Sequence, residues 1–71
     1  MDPNANLKEQ RELVAIIHRL SDATSELEGG ALTQATVALS QHAERLAELV
    51  EALDEWITGG GFLPQGWRPR S

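Results

Sequence analysis

From Leu7 onward, the apolar positions in the first half of the chain recur at intervals of three and four. Leu7, Leu13, Val14, Ile16, Ile17, Leu20, Ala23, Thr24 and Leu27 make one stripe, and Lys8, Glu12, Arg19, Asp22 and Glu26 lie outside it. That period marks an amphipathic helix. Asp2-Pro3 opens it, because an Asp side chain accepts from the free amides of a first turn and a Pro at the first helical position gives up a bond that no helix makes there. Glu28-Gly29-Gly30 reads as its stop, since glycine enters the left-handed conformation without a Cβ penalty. The spacing predicts a helix over residues 3–28.

The second half carries a more regular pattern. Leu32, Thr36, Leu39, Ala43, Leu46, Val50, Leu53 and Ile57 alternate spacings of four and three, which is a heptad seam. His42, Leu49 and Trp56 repeat at seven beside it and widen the stripe, so a helix over residues 32–58 can meet more than one neighbour. Gly59-Gly60-Gly61 ends that helix. The tail, residues 59–71, is too rich in Pro and Gly for a regular element. It still holds Phe62, Leu63 and Trp67, and aromatics of that size are expected to fold back as a cap over the open end.

A short connection between two helices requires antiparallel neighbours. The expected architecture is all-α: a single domain, residues 1–71, built as an antiparallel two-helix hairpin with an irregular aromatic tail. Leu13, Ile17, Leu20, Leu39, Leu46, Val50 and Leu53 are the expected core, with Leu49 and Trp56 in the core or at a dimer contact. With the turn at Gly29-Gly30, residues whose numbers total about 60 should lie opposite one another.

Size then changes the picture. At 71 residues the chain is near the lower limit for a self-sufficient core. It has no Cys, so neither disulfides nor a thiolate metal site can supplement that core. Two helices cover only one side of each apolar stripe, so a second copy is expected to cover the other, giving a homodimeric four-helix bundle.

Eleven acids against six bases give a net charge of −5, which argues against nucleic acid as a direct ligand. No stretch approaches the ~20 apolar residues of a membrane span. The N-terminus is acidic and polar, unlike a secretion leader, and the expected compartment is the cytoplasm.

Candidate chemistry is sparse. His18 and His42 fall at one level if the turn lies at Gly29-Gly30, which would allow a metal-binding regulator, although His42 and Glu44 are two apart and point to different sides of a helix. Glu44, Glu48, Glu51 and Glu55, with Asp54 beside them, share one acidic face. Lys8 and Arg11, with Arg68 and Arg70 of the tail, are expected to compensate it. A hairpin has no cleft for paired carboxylates to act as acid and base. Ser21, Ser25 and Ser40 have no activating base, and Gly59-Gly60-Gly61 lacks the Lys and following helix of a phosphate loop. No enzyme activity and no cofactor are expected.

The opening Asp2-Pro3-Asn4-Ala5-Asn6-Leu7, the string Leu46-Ala47-Glu48-Leu49-Val50-Glu51-Ala52-Leu53-Asp54-Glu55-Trp56-Ile57, and the run Gly59-Gly60-Gly61-Phe62-Leu63-Pro64 with Trp67 resemble small uncharacterised proteins of mycobacteriophages, other actinobacteriophages and their actinobacterial hosts. The resemblance covers the two ends, and residues 18–43 depart from it. It implies a phage or actinobacterial context, with Trp56, Phe62, Leu63, Pro64 and Trp67 acting as a unit, and it brings no activity or catalytic residue. The functional expectation is a small interaction protein that self-associates and binds a host protein. Its rivals are an acidic nucleic-acid mimic directed at a basic groove and the histidine-based metal regulator.

Overall fold

The computed structural model describes residues 1–69. Two helices, α1 (Pro3–Thr24) and α2 (Gly29–Thr58), lie antiparallel, and a 3-10 turn at Gln65–Trp67 packs back against α1. Among the described residues there is no strand. The all-helical hairpin expected from the sequence is therefore the fold.

α1 starts as its sequence predicts. The Asp2 carboxylate accepts from the amides of Asn4 at 2.9 Å and Ala5 at 3.1 Å, and Pro3 fills the first helical position. Its end differs, because α1 stops at Thr24 rather than at residue 28. The hydroxyls of Thr24 and Ser25 donate to the carbonyls of Ser21 and Asp22, and such local bonds compete with helix continuation. The amides of Glu26 and Leu27 then reach back only three residues, to Ala23 and Thr24, the tighter spacing of a closing 3-10 turn.

Gly29 and Gly30 consequently begin α2 instead of ending α1. Glu28 is the capping residue in an extended conformation, and Gly29 follows at a φ of +58°, a value a β-carbon makes costly. The reversal therefore sits at residues 25–28, earlier than the sequence suggested. Across the hairpin Asn6 pairs with Leu49 and Glu9 with Arg45, so opposed residue numbers total 55 and 54 rather than about 60.

The apolar interior contains Leu7, Leu13, Ala35, Leu49 and Leu53, with Pro3 and Pro64 also enclosed. Ile17, Leu20, Leu39 and Leu46 are half-buried. Val50, expected in the core, is 48% exposed. The positions that α2 turns toward α1 are Ala35, Leu39, His42, Leu46, Leu49, Leu53 and Trp56, at spacings of four and three. Leu39, Leu46 and Leu53 belong equally to this seam and to the one read from the sequence. The bond from Asn6 Nδ2 to the Leu49 carbonyl, 3.0 Å, selects between them by holding the Leu49 side of α2 against α1.

Candidate interaction surface

The rotation of α2 leaves one broad side of the hairpin apolar. Gln10, Val50, Leu53, Asp54, Ile57 and Trp67 line a shallow hollow of about 320 Å³ on that side. Helical spacing extends the surface in both directions. On α1, Val14 and Ile17 follow Gln10 at four and seven residues. On α2, Leu46, Ala43, Leu39 and Leu32 precede Val50 along the same side. Val14 and Leu32 are exposed like Val50, while Ile17, Leu39, Leu46 and Ile57 are half-covered. Nothing in the described chain lies over the middle of this stripe.

The opposite side is polar. The Arg45 guanidinium donates to both Glu9 oxygens, at 2.7 and 3.0 Å, and approaches Glu48 at 3.4 Å. Its hydrogen bond is the main cause that lowers the Glu9 carboxyl from its ordinary value, opposed by desolvation and aided by the Arg45 charge. The same bond, with the Glu9 charge, raises Arg45 in turn. The pair is solvent-exposed, so screening limits its worth.

Of the acidic face, Glu48 is the member with an ion-pair partner among the described residues; Glu44, Glu51, Asp54 and Glu55 are exposed. The expected compensation is not what forms. Arg11 donates to the Gly66 carbonyl at 2.9 Å, and neither Lys8 nor Arg68 makes an ion pair among the described residues. Arg70 lies outside those residues.

At the open end the chain turns through Gly59, Gly60 and Gly61. Gly60 has a φ of +96°, and a β-carbon on Gly61 would overlap the Trp56 ring. Trp56 Nε1 donates to the Phe62 carbonyl at 3.0 Å, and the two rings meet edge to face at 5.5 Å. The tail does fold back, but its cap differs in composition from the expected one. Phe62 and Leu63 remain 63% and 55% exposed, Trp67 is partly exposed, and Pro64 is the residue that becomes enclosed. The reason is polar: Gln65 N donates to Asn4 Oδ1 at 2.7 Å and Arg11 holds Gly66, so main chain is drawn down onto α1 while Phe62 and Leu63 stay largely in solvent.

The two histidines are not brought together. His18 is exposed, whereas His42 is half-buried in the helix seam. In the observed register they are offset by five or six residues, roughly 8 Å along the helices. Among the described residues no group of three or more His, Asp or Glu side chains is placed to hold a metal. No helix among them is long and apolar enough to cross a membrane.

Sequence reading missed Asn6 and the Glu9–Arg45 pair. Asn6 carried a signal, whereas the Glu9–Arg45 pair depends on the register and could not be read from the expected turn. Pro3, Asn6, Gln10, Leu13, Ile17, Leu20, Thr24 and Leu27 continue one three-and-four pattern, so Asn6 and Gln10 are polar members of the buried stripe; Gln10 Nε2 donates to Asn6 Oδ1 at 2.6 Å. No family model, no curated protein and no solved structure matches the chain.

Proposed function

We propose that this protein is a small, non-enzymatic helical interaction module that associates with a second copy of itself, apolar side to apolar side, as a four-helix bundle. The observation carrying this reading is the apolar stripe beside the helix pair in which Val14, Leu32 and Val50 stand exposed and Ile17, Leu39, Leu46 and Ile57 are only half-covered. Exposed apolar surface of this extent marks an association site. The molecule measures 47 by 27 Å along its two longer dimensions, enough for the ~800 Å² per partner of a specific interface. In a phage or actinobacterial cytoplasm, which the resemblance of the chain ends implies, the outer charged side would be the part that meets a host protein.

Light scattering across micromolar concentrations tests the bundle. A mass twice that of the chain is expected, and a folded monomer at all concentrations would exclude it. A second reading, an acidic mimic that occupies a basic groove, draws support from Glu44, Glu51, Asp54 and Glu55 standing exposed together. It requires binding to a basic partner that weakens as salt is raised.

A further inference from the structure

We infer that the hollow at the open end of the apolar stripe is a socket for an arginine side chain carried by a different protein, its guanidinium paired with Asp54 and its stem against the aliphatic wall. The hollow measures about 320 Å³ and is walled by Gln10, Val50, Leu53, Asp54, Ile57 and Trp67. That is the small end of the range for ligand pockets, about 300 to 1,000 Å³, so it suits a side chain better than a cofactor. Leu53 is enclosed, whereas Val50 and Trp67 are 48% and 46% exposed, which leaves apolar surface for an incoming group to cover.

The polar members of the wall decide the charge of the occupant. Asp54 is the one charged residue among them, and it is exposed and makes no ion pair among the described residues. Gln10 is oriented by the network that sets the helix register. Asn6 Nδ2 donates to the Leu49 carbonyl, so Asn6 Oδ1 can only accept, and Gln10 meets it with Nε2. The carbonyl oxygen is then the end of Gln10 without a partner among the described residues. The exposed Glu51 and Glu55 of the same helix add to the negative potential.

A carboxylate and an amide carbonyl beside three aliphatic side chains and an indole match a cationic donor on an apolar stem. Arginine matches them better than lysine. Its planar fork pairs two-pronged with a carboxylate, stacks on aromatic rings and sheds its hydration more readily than an ammonium does. The arginines of the chain itself do not fill the hollow. Arg45 is held by Glu9 and Arg11 by the Gly66 carbonyl. Arg19 lies outside the apolar stripe of α1, and Arg68, next to Trp67, leaves Asp54 unpaired. The occupant is therefore an arginine of another protein, flanked there by apolar residues that continue over the stripe. This goes beyond the bundle reading and does not depend on it.

The probe is acetyl-Leu-Arg-Leu-amide, added to nitrogen-15-labelled full-length protein and compared with acetyl-Leu-citrulline-Leu-amide, which keeps the shape and lacks the charge. The indole signal of Trp67 reports the hollow. That of Trp56, whose Nε1 is committed to the Phe62 carbonyl, is the control within the same chain. The arginine peptide is expected to shift Trp67 saturably and Trp56 little. Exchanging arginine for citrulline, or Asp54→Asn, should each weaken binding about threefold to fivefold, the worth of one solvent-facing charge pair. Glu51→Gln, exposed on the same helix but outside the hollow, should leave binding nearly unchanged.

Equal binding of the two peptides, equal losses in Asp54→Asn and Glu51→Gln, or the absence of a saturable shift in the wild-type chain would overturn the socket. A Trp67 signal that moves with protein concentration alone, and no longer does so in Arg19→Gln with Arg68→Gln, would give the arginine to a second copy and overturn its assignment to a different protein. Light scattering on the same samples keeps the readings apart. A monomer that binds the arginine peptide removes the bundle and keeps the socket, and a dimer that does not bind it does the reverse.

Discussion

Asn6 is the polar side chain set deepest between the helices, 7% exposed, and both ends of its amide are used, toward Leu49 O and from Gln10 Nε2. A buried amide is satisfied at one alignment and unsatisfied one turn away, so it specifies register at a cost in stability. Asn6→Ala should lower the unfolding free energy by roughly 1 to 3 kcal/mol, read from urea melts followed by circular dichroism. The residue was legible only as a polar interruption in an apolar stripe; what it bonds to depends on where the turn falls.

At the same scale, Glu9 gives a dependence on pH. Its carboxyl is held below its ordinary value by Arg45, so the folded state binds that proton less readily than the unfolded chain does. The associated stability is present above the ordinary carboxylate value and is lost as pH falls through the depressed folded value. The stability difference between wild type and Glu9→Gln should therefore be largest at neutral pH and shrink on acidification. A difference independent of pH would detach the effect from charge.

Among the elements, the start of α1 and the end of α2 could be read directly, because Asp2-Pro3 and three successive glycines act through local chemistry alone. The turn could not. Thr24 and Ser25 end α1 with their own hydroxyls before the glycines are reached, and Gly29 then serves the first turn of α2. The face of α2 was ambiguous for a different reason: Leu39, Leu46 and Leu53 fit both seams, and only contact with α1 decides whether Leu49 or Val50 joins them. The two alternatives differ measurably. Leu53→Ala should cost about 2 to 5 kcal/mol as a cavity within the helix pair. Val50→Ala in a monomeric sample should cost less than about 1 kcal/mol, as at an exposed site. Equal costs would return Val50 to the core.

For the molecule as a whole, a double-width stripe in the sequence was enough to say that surface would be left over, and the surface is there. Which residues make it up, Val14 and Val50 rather than Leu49, awaited the register. Introducing charge at both exposed positions, Val14→Asp with Val50→Asp, should convert a dimer to a folded monomer in light scattering with little loss of helical signal. Loss of helix together with loss of mass would mean that the hairpin depends on its partner to fold.

The bond from Gln65 to Asn4 also makes the chain nearly circular. Asn4 in the first turn of α1 and Gln65 in the tail are neighbours, while the turn at residues 25–28 stands at the far end and takes no part in the tail contacts or in the Asn6 contact. A gene that joined the two ends through a short linker and opened the chain at that turn would encode the same packing in a permuted order, α2 and tail first, α1 last. The tail, whose contacts with α1 now span the longest loop, would then meet α1 as a local pairing, and the entropy of closing that loop would shift from the tail to the pairing of the helices.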